Sequence, residues 1–82
     1  MNIILLTKDN CPQCDRLKMA LTRNPKTRDI FTKIKTVHEV ENTEEYWEIV
    51  KKFAIQSMPA LIVDNEYVTP NQILPVLMKA QF

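Results

Sequence analysis

Glycine is missing altogether from the 82 residues of this chain. Glycine-rich phosphate cradles, both the dinucleotide fingerprint and the Walker-type loop, need a backbone that can approach phosphate closely, so both are excluded. A single histidine, His38, rules out a His-Glu-x-x-His zinc protease. Cysteine is scarce: Cys11 and Cys14 with His38 make three good zinc ligands, one short of a closed structural site unless a carboxylate joins. Neither sign of charge dominates. Eleven Lys and Arg against 10 Asp and Glu leave a net charge of +1, so no global field draws the chain to nucleic acid or to a membrane. The longest apolar runs, Ile3 to Leu6 and Ala60 to Val63, are four residues, too short for a transmembrane helix or a secretory signal core.

What is present has the balance of a soluble globular protein, with 45% hydrophobic and 26% charged residues. A single domain over residues 1–82 is expected. The cytosol is the default compartment. Two cysteines spaced Cys-x-x-Cys make a poor secreted disulfide framework, which needs more bridges across wider loops.

Asn2 to Thr7, built on the unbroken apolar run Ile3 to Leu6, is of strand length and suited to a strand buried on both faces. Asp9-Asn10 breaks it. A helix is predicted from Pro12 to about Arg23, with Cys14, Leu17 and Leu21 on one face and Pro12 at its first position. Asn24-Pro25 stops that helix, and Lys26 to Thr32 reads as a connection with Phe31 available to pack. A second, internal strand is expected over roughly Lys33 to Val40. Asn42 with Glu45 has the pattern of a capping box, opening a helix whose apolar stripe is Tyr46, Ile49, Val50 and Phe53. Ala60 to Val63 and Glu66 to Val68 read as a hairpin joined by Asp64-Asn65, where asparagine suits positive φ. A last helix is expected from about Asn71, as N-cap, to Ala80, with Pro75 inside its first turn. The order β-α-β-α-β-β-α, read as two parallel βαβ connections and a hairpin, implies an α/β fold: a four-stranded mixed sheet flanked by helices on both faces.

Cys11-Pro12-Gln13-Cys14 falls where the first strand hands over to the first helix, a placement that suits thiol–disulfide exchange. Cys11 at a helix N-terminus has free N–H groups and the helix dipole to stabilise a thiolate, and Lys8 can add positive charge. Cys14 lies one turn on, within bridging distance and turned inward, so the outer sulfur attacks and the inner one resolves. The competing readings are a pair of buried core cysteines, or half of a metal site completed by outside ligands. Met58-Pro59 precedes a strand, where proline removes a donor. A cis bond there leaves the Met58 backbone free to pair with an incoming peptide, whereas an isolated X-Pro bond is ordinarily trans.

Leu6 to Cys14 (LTKDNCPQC) resembles the active-site segment of glutaredoxins and of the small redoxins that serve ribonucleotide reductase. Ser57-Met58-Pro59 is similar to the cis-proline loop that faces the dithiol throughout the thioredoxin superfamily. The resemblance implies a thioredoxin-like fold, Cys11 as nucleophile, Cys14 as resolving thiol and Pro59 as cis. It also implies a substrate groove drawn from Lys8, Pro12, Gln13, Met58, Pro59 and Thr69, with no cofactor and no metal. The expected protein is a monomeric electron carrier acting on a disulfide-containing client, ribonucleotide reductase first, with thioredoxin reductase or glutathione as donor. Two features depart from glutaredoxins. The stretch Tyr67 to Gln72 lacks their Gly-Gly pair, which points away from glutathione docking, although Lys8, Met58, Thr69 and Asn71 can still line a groove; the connection around Pro25 to Thr32 is longer than in the smallest relatives.

The basic residues Arg16, Lys18, Arg23, Lys26, Arg28, Lys33 and Lys35, and the acids from Glu39 to Glu48, read first as two solvated faces and second as a docking surface. Aromatics do not interleave with the basic run, which argues against nucleic acid. Tyr46 and Trp47 read as helix packing, and His38 as a satisfied core or rim histidine. The rival to an oxidoreductase is a thioredoxin-like binding module with incidental cysteines.

Overall fold

The structure, a computed structural model, describes residues 2–79. The apolar run Ile3–Thr7 forms β1 and lies in the middle of the sheet, covered on both faces as its lack of alternation requires. It pairs in parallel with β2, Lys35–His38, with Leu5 opposite Thr36. On its other side it pairs antiparallel with β3, Ala60–Val63, with Leu6 opposite Ala60. The chain then turns into β4, Glu66–Val68, to complete the order β2-β1-β3-β4. The joining residues Asp64 and Asn65 have φ of 49° and 68°, the pair of positive values a two-residue hairpin turn needs.

Alternation along β1 builds two cores. Ile3 and Leu5 point into one, with Leu17 and Leu21 of α1 (Pro12–Arg23), Ile30 of α2 (Pro25–Lys33), and Ile73 and Leu77 of α4 (Ile73–Lys79). Leu6 points into the other, with Val37, Ile62 and Tyr46 of α3 (Thr43–Phe53). Ile49, Val50 and Phe53, the rest of the expected α3 stripe, pack against this second core. Three helices therefore cover one face of the sheet and one covers the other.

Five details correct the sequence reading. Lys26 to Thr32 is not a connection but most of α2: the Asn24 side chain that ends α1 accepts from Lys26 N at 3.0 Å and starts a new helix with Pro25 in its first turn. Its buried face escaped notice because one member is Thr27, whose hydroxyl donates to the Leu21 and Asn24 carbonyls. Only one strand pairing is parallel. β3 begins beside Leu6, at the end of β1 where β2 finishes, and so must run back antiparallel. β2 is shorter than expected and lies at the sheet edge, because His38 O accepts from Glu41 N and Asn42 N and turns the chain. Asn42 occupies the N-cap of α3 without a side-chain cap bond. Glu45 is drawn instead to Lys35, 2.5 Å away, and Thr43 bonds back to Glu39 O. The last helix starts later, since Pro70–Gln72 forms a 3-10 turn with Thr69 at its N-cap; the expected end at Ala80 lies outside the described residues.

Tyr46, 3% exposed, anchors α3 to the sheet. Burial, reinforced by the Glu39 carboxylate, raises its phenol above the ordinary 10.0. The folded state thus holds this proton more tightly than the unfolded chain. The associated stability is complete below pH about 10 and is lost as pH rises through the raised folded value. Urea midpoints measured from pH 8 to 11 should fall more steeply for the wild-type chain than for Tyr46→Phe; parallel curves would contradict this.

Candidate functional site

β1 ends at Thr7, and Lys8, Asp9 and Asn10 carry the chain to the dithiol. Asn10 has φ 54°, a left-handed value that asparagine accepts more readily than most residues, and it redirects the backbone into α1. Cys11 then takes the N-cap position in extended geometry, φ −124° and ψ 92°. Its sulfur receives the Cys14 N–H at 3.1 Å and its carbonyl receives Asp15 N–H at 3.1 Å. Pro12 follows in the first turn, where its missing N–H has no partner to lose. Cys11 and Cys14 are joined as a disulfide with Cα atoms 5.2 Å apart. Cys14 is fully buried and Cys11 retains 5% exposure, so Cys11 is the more accessible of the two.

Opposite the dithiol, the Met58–Pro59 bond is cis and the Met58 carbonyl oxygen stands 3.7 Å from Cys11 Sγ. Ala60 enters β3 immediately afterwards, paired with Leu6. The site is therefore framed by two consecutive segments of one sheet, the end of β1 and the start of β3.

His38 braces the approach to the site from an edge strand, not from the internal strand the sequence reading gives it. At the end of the edge strand β2 its Nδ1 lies 2.8 Å from Thr7 Oγ1 and its Nε2 2.9 Å from Asp9 Oδ1. A carboxylate only accepts, so Nε2–H donates to Asp9, and Nδ1 of the neutral ring accepts from the Thr7 hydroxyl. The ring thus ties the Lys8–Asn10 loop to the sheet two residues before Cys11. The rim-histidine reading holds, although neither Thr7 nor Asp9 stood out in the sequence as its partner.

Two hollows flank the Ser57–Pro59 loop. One, of 570 Å³, is walled by Gln13, Arg16, Leu17 and Ala20 of α1, by Ser57 and Pro59, and by Pro70, Asn71 and Leu74. The other, of 160 Å³, takes in Lys8, Met58, Tyr46 and Trp47. The expected groove residues are thus divided: Gln13 and Pro59 face the first hollow, Lys8 and Met58 the second. Pro12 lies in the first turn of α1 and Thr69 lines neither hollow; the Thr69 hydroxyl instead donates to Asn71 Oδ1 at 2.8 Å. Arg16, Ala20 and Leu74 were not anticipated as groove residues. The legible signal was the spacing Gln13, Arg16, Leu17, Ala20, one stripe of a helix. A further hollow, of 770 Å³, lies against α2 and touches neither cysteine. Among the described residues no three His, Cys, Asp or Glu side chains gather as metal ligands would, and no helix is long and apolar enough to cross a membrane.

Residues 1–71 match a family model described as a thioredoxin domain. Among solved structures, the thioredoxin-like protein BC3987 is similar with a TM-score of 0.65 and 19% sequence identity, covering 94% of this chain and 97% of that one. At that identity the likeness carries the fold alone. No curated protein matches the chain.

Thr7 is fully buried, so removing its imidazole partner leaves a hydroxyl with no partner from that ring. His38→Ala should lower stability by about 1–3 kcal/mol. In urea unfolding, the double variant Thr7→Val with His38→Ala should lose less than the sum of the two single variants. Strict additivity would show that the clasp carries no energy.

Proposed function

The chain belongs to the thioredoxin-domain family, and from that premise we propose that it is a thiol–disulfide oxidoreductase that reduces protein disulfides through Cys11 and Cys14. The observation that carries this reading is the Cys14 N–H aimed at Cys11 Sγ at the start of α1. A donor fixed on the sulfur, together with the positive end of a helix, favours the thiolate that performs exchange. Incidental cysteines in a binding module need no such donor.

The chemistry follows from the two exposures. In the reduced protein the Cys11 thiolate attacks one sulfur of the client disulfide. The Cys11–client bond forms, the client S–S bond breaks, and the departing client thiolate takes up a proton. The buried Cys14, deprotonated, then attacks Cys11 Sγ. This forms the Cys11–Cys14 disulfide and releases the second client thiolate, also to be protonated. The client gains two electrons and two protons, and an external thiol or dithiol donor returns them to the protein. Met58 O, close to Cys11 Sγ, belongs to a backbone edge along which an extended client segment can align.

Thioredoxin reductase is the favoured donor and glutathione the weaker one. The Val68–Pro70 region, where a glycine pair would offer backbone donors, holds Cβ atoms. The Thr69 hydroxyl is engaged by Asn71, and the Thr69 carbonyl accepts Gln72 N–H at 2.9 Å. A protein client depends less on those groups because its contacts spread over a wider surface. Ribonucleotide reductase is the first client to try, with Lys8, Pro12, Gln13, Met58, Pro59 and Thr69 as the surface it meets. The cytosol, where such donors keep thiols reduced, is the proposed setting, and the monomer the proposed working form.

Insulin reduction coupled to NADPH and thioredoxin reductase should proceed, and should outpace the same assay run with glutathione and its reductase. Cys14→Ser should accumulate a mixed disulfide with a client through Cys11, and Cys11→Ser should accumulate none. In the reduced wild-type chain iodoacetamide near neutral pH should label Cys11 first. Absence of turnover with either donor would favour the binding module, and preferential labelling of Cys14 would reverse the assigned roles.

A further inference from the structure

Resting on the oxidoreductase reading above, we infer that the groove between α1 and the Pro70–Leu74 segment selects clients with an acidic and apolar segment beside the reactive cystine, and that Arg16 reads the carboxylate. The groove starts at the dithiol: Gln13 lies between the two cysteines and Pro59 follows Met58. Its floor and far wall are apolar, from Leu17, Ala20, Pro70 and Leu74. Leu74 is 36% exposed, and Met78, one turn further along α4, is 46% exposed, so apolar surface continues beyond the groove. An apolar client side chain would cover it.

Arg16 is the one charged residue lining this groove, and it is exposed with no ion pair among the described residues. Lys33 and Lys35, by contrast, are paired with Asp29 and Glu45. The surroundings reinforce the sign. α1 carries Arg16, Lys18 and Arg23 against Asp15 alone, and α4 carries Lys79 and no acid. The acids Glu44, Glu45 and Glu48 sit on α3, across the sheet. A carboxylate arriving on the groove side meets a planar guanidinium free to bind it in bidentate fashion, whereas a lysine there is repelled.

The geometry also limits where that carboxylate sits. Five helical steps of roughly 1.5 Å separate Cys11 from Arg16, a distance that two or three residues of extended chain span. The acidic residue therefore lies within about three residues of the client cysteine.

The test uses two peptides, each joined through its cysteine to 5-thio-2-nitrobenzoate. They share a leucine near the cysteine and differ only in glutamate or lysine within three residues of it. Release of the coloured thiol by an excess of the reduced protein gives a second-order rate constant for each. The glutamate peptide should react about three- to fivefold faster, the range of an exposed ion pair. Arg16→Glu should invert the ratio, and Arg23→Glu, the same change of charge on α1 outside the groove, should leave it near the wild-type value. Equal rates for the two peptides, or an effect of Arg23→Glu as large as that of Arg16→Glu, would overturn the assignment while leaving the oxidoreductase reading intact. Failure to reduce either peptide would remove that reading and this inference with it.

Discussion

One sulfur both caps a helix and forms half of the Cys11–Cys14 pair. Cys11 holds α1 at its first turn through two bonds, sulfur to Cys14 N–H and carbonyl to Asp15 N–H. N-capping is ordinarily the work of an oxygen from Ser, Thr, Asp or Asn, with a contribution of about 1 kcal/mol. Here the cap is a sulfur of the Cys11–Cys14 pair, so the start of the helix and the position of that pair cannot be set independently. Everything upstream serves that placement. Glu39 N–H and the His38 ring hold Thr7 from the backbone and side-chain sides, and Asn10 makes the left-handed turn into the cap. Pro12, with no N–H, offers the sulfur no competing donor.

Without glycine, each left-handed position falls to a residue that carries a Cβ. Asn10, Asp64 and Asn65 are the residue types that tolerate this best. Ala54, at φ 52°, is not. It is held there by the end of α3: Ile55 N–H bonds back to Val50 O at 3.0 Å, and the Ile55 side chain is buried in the second core. The backbone cost at Ala54 is thus offset by a hydrophobic anchor one residue later. That anchor fixes where the Gln56–Met58 loop begins, and so where the Met58 carbonyl meets Cys11.

Much of this was legible in the residues, and what was hidden has physical causes. The central strand, the hairpin and its positive-φ turn were readable because an unalternating apolar run and an Asp-Asn pair between short strands each admit few structures. The cysteine pair was readable from its Cys-x-x-Cys spacing at a strand-to-helix junction, and the cis-proline only through the family resemblance, since an isolated X-Pro bond is ordinarily trans. α2 was hidden because Thr27 buries a hydroxyl by bonding it to carbonyls, and so breaks an apolar stripe that would otherwise show. The capping box at Asn42 failed because Glu45 has a stronger partner in Lys35, ten residues away in sequence. Strand order depends on pairings that no local pattern encodes. The edge position of β2, and with it the role of His38, could therefore be seen only in three dimensions.

Helix α1 is divided between the two cores. Cys14 packs in the second, with Leu6, Met58 and Ala60, while Leu17 and Leu21 pack in the first, with Leu5 and Ile73. The first turn of α1 therefore lies over the edge where the two cores meet, and the dithiol sits there, beside the end of β1 and the start of β3. Leu17 is at once a core residue and a wall of the groove. A groove wall that belongs to the core cannot move without disturbing Ile3, Leu5 and Leu21. A molecule docking on that side would meet a stiff surface, with adaptability left to exposed side chains such as Gln13, Arg16, Asn71 and Leu74.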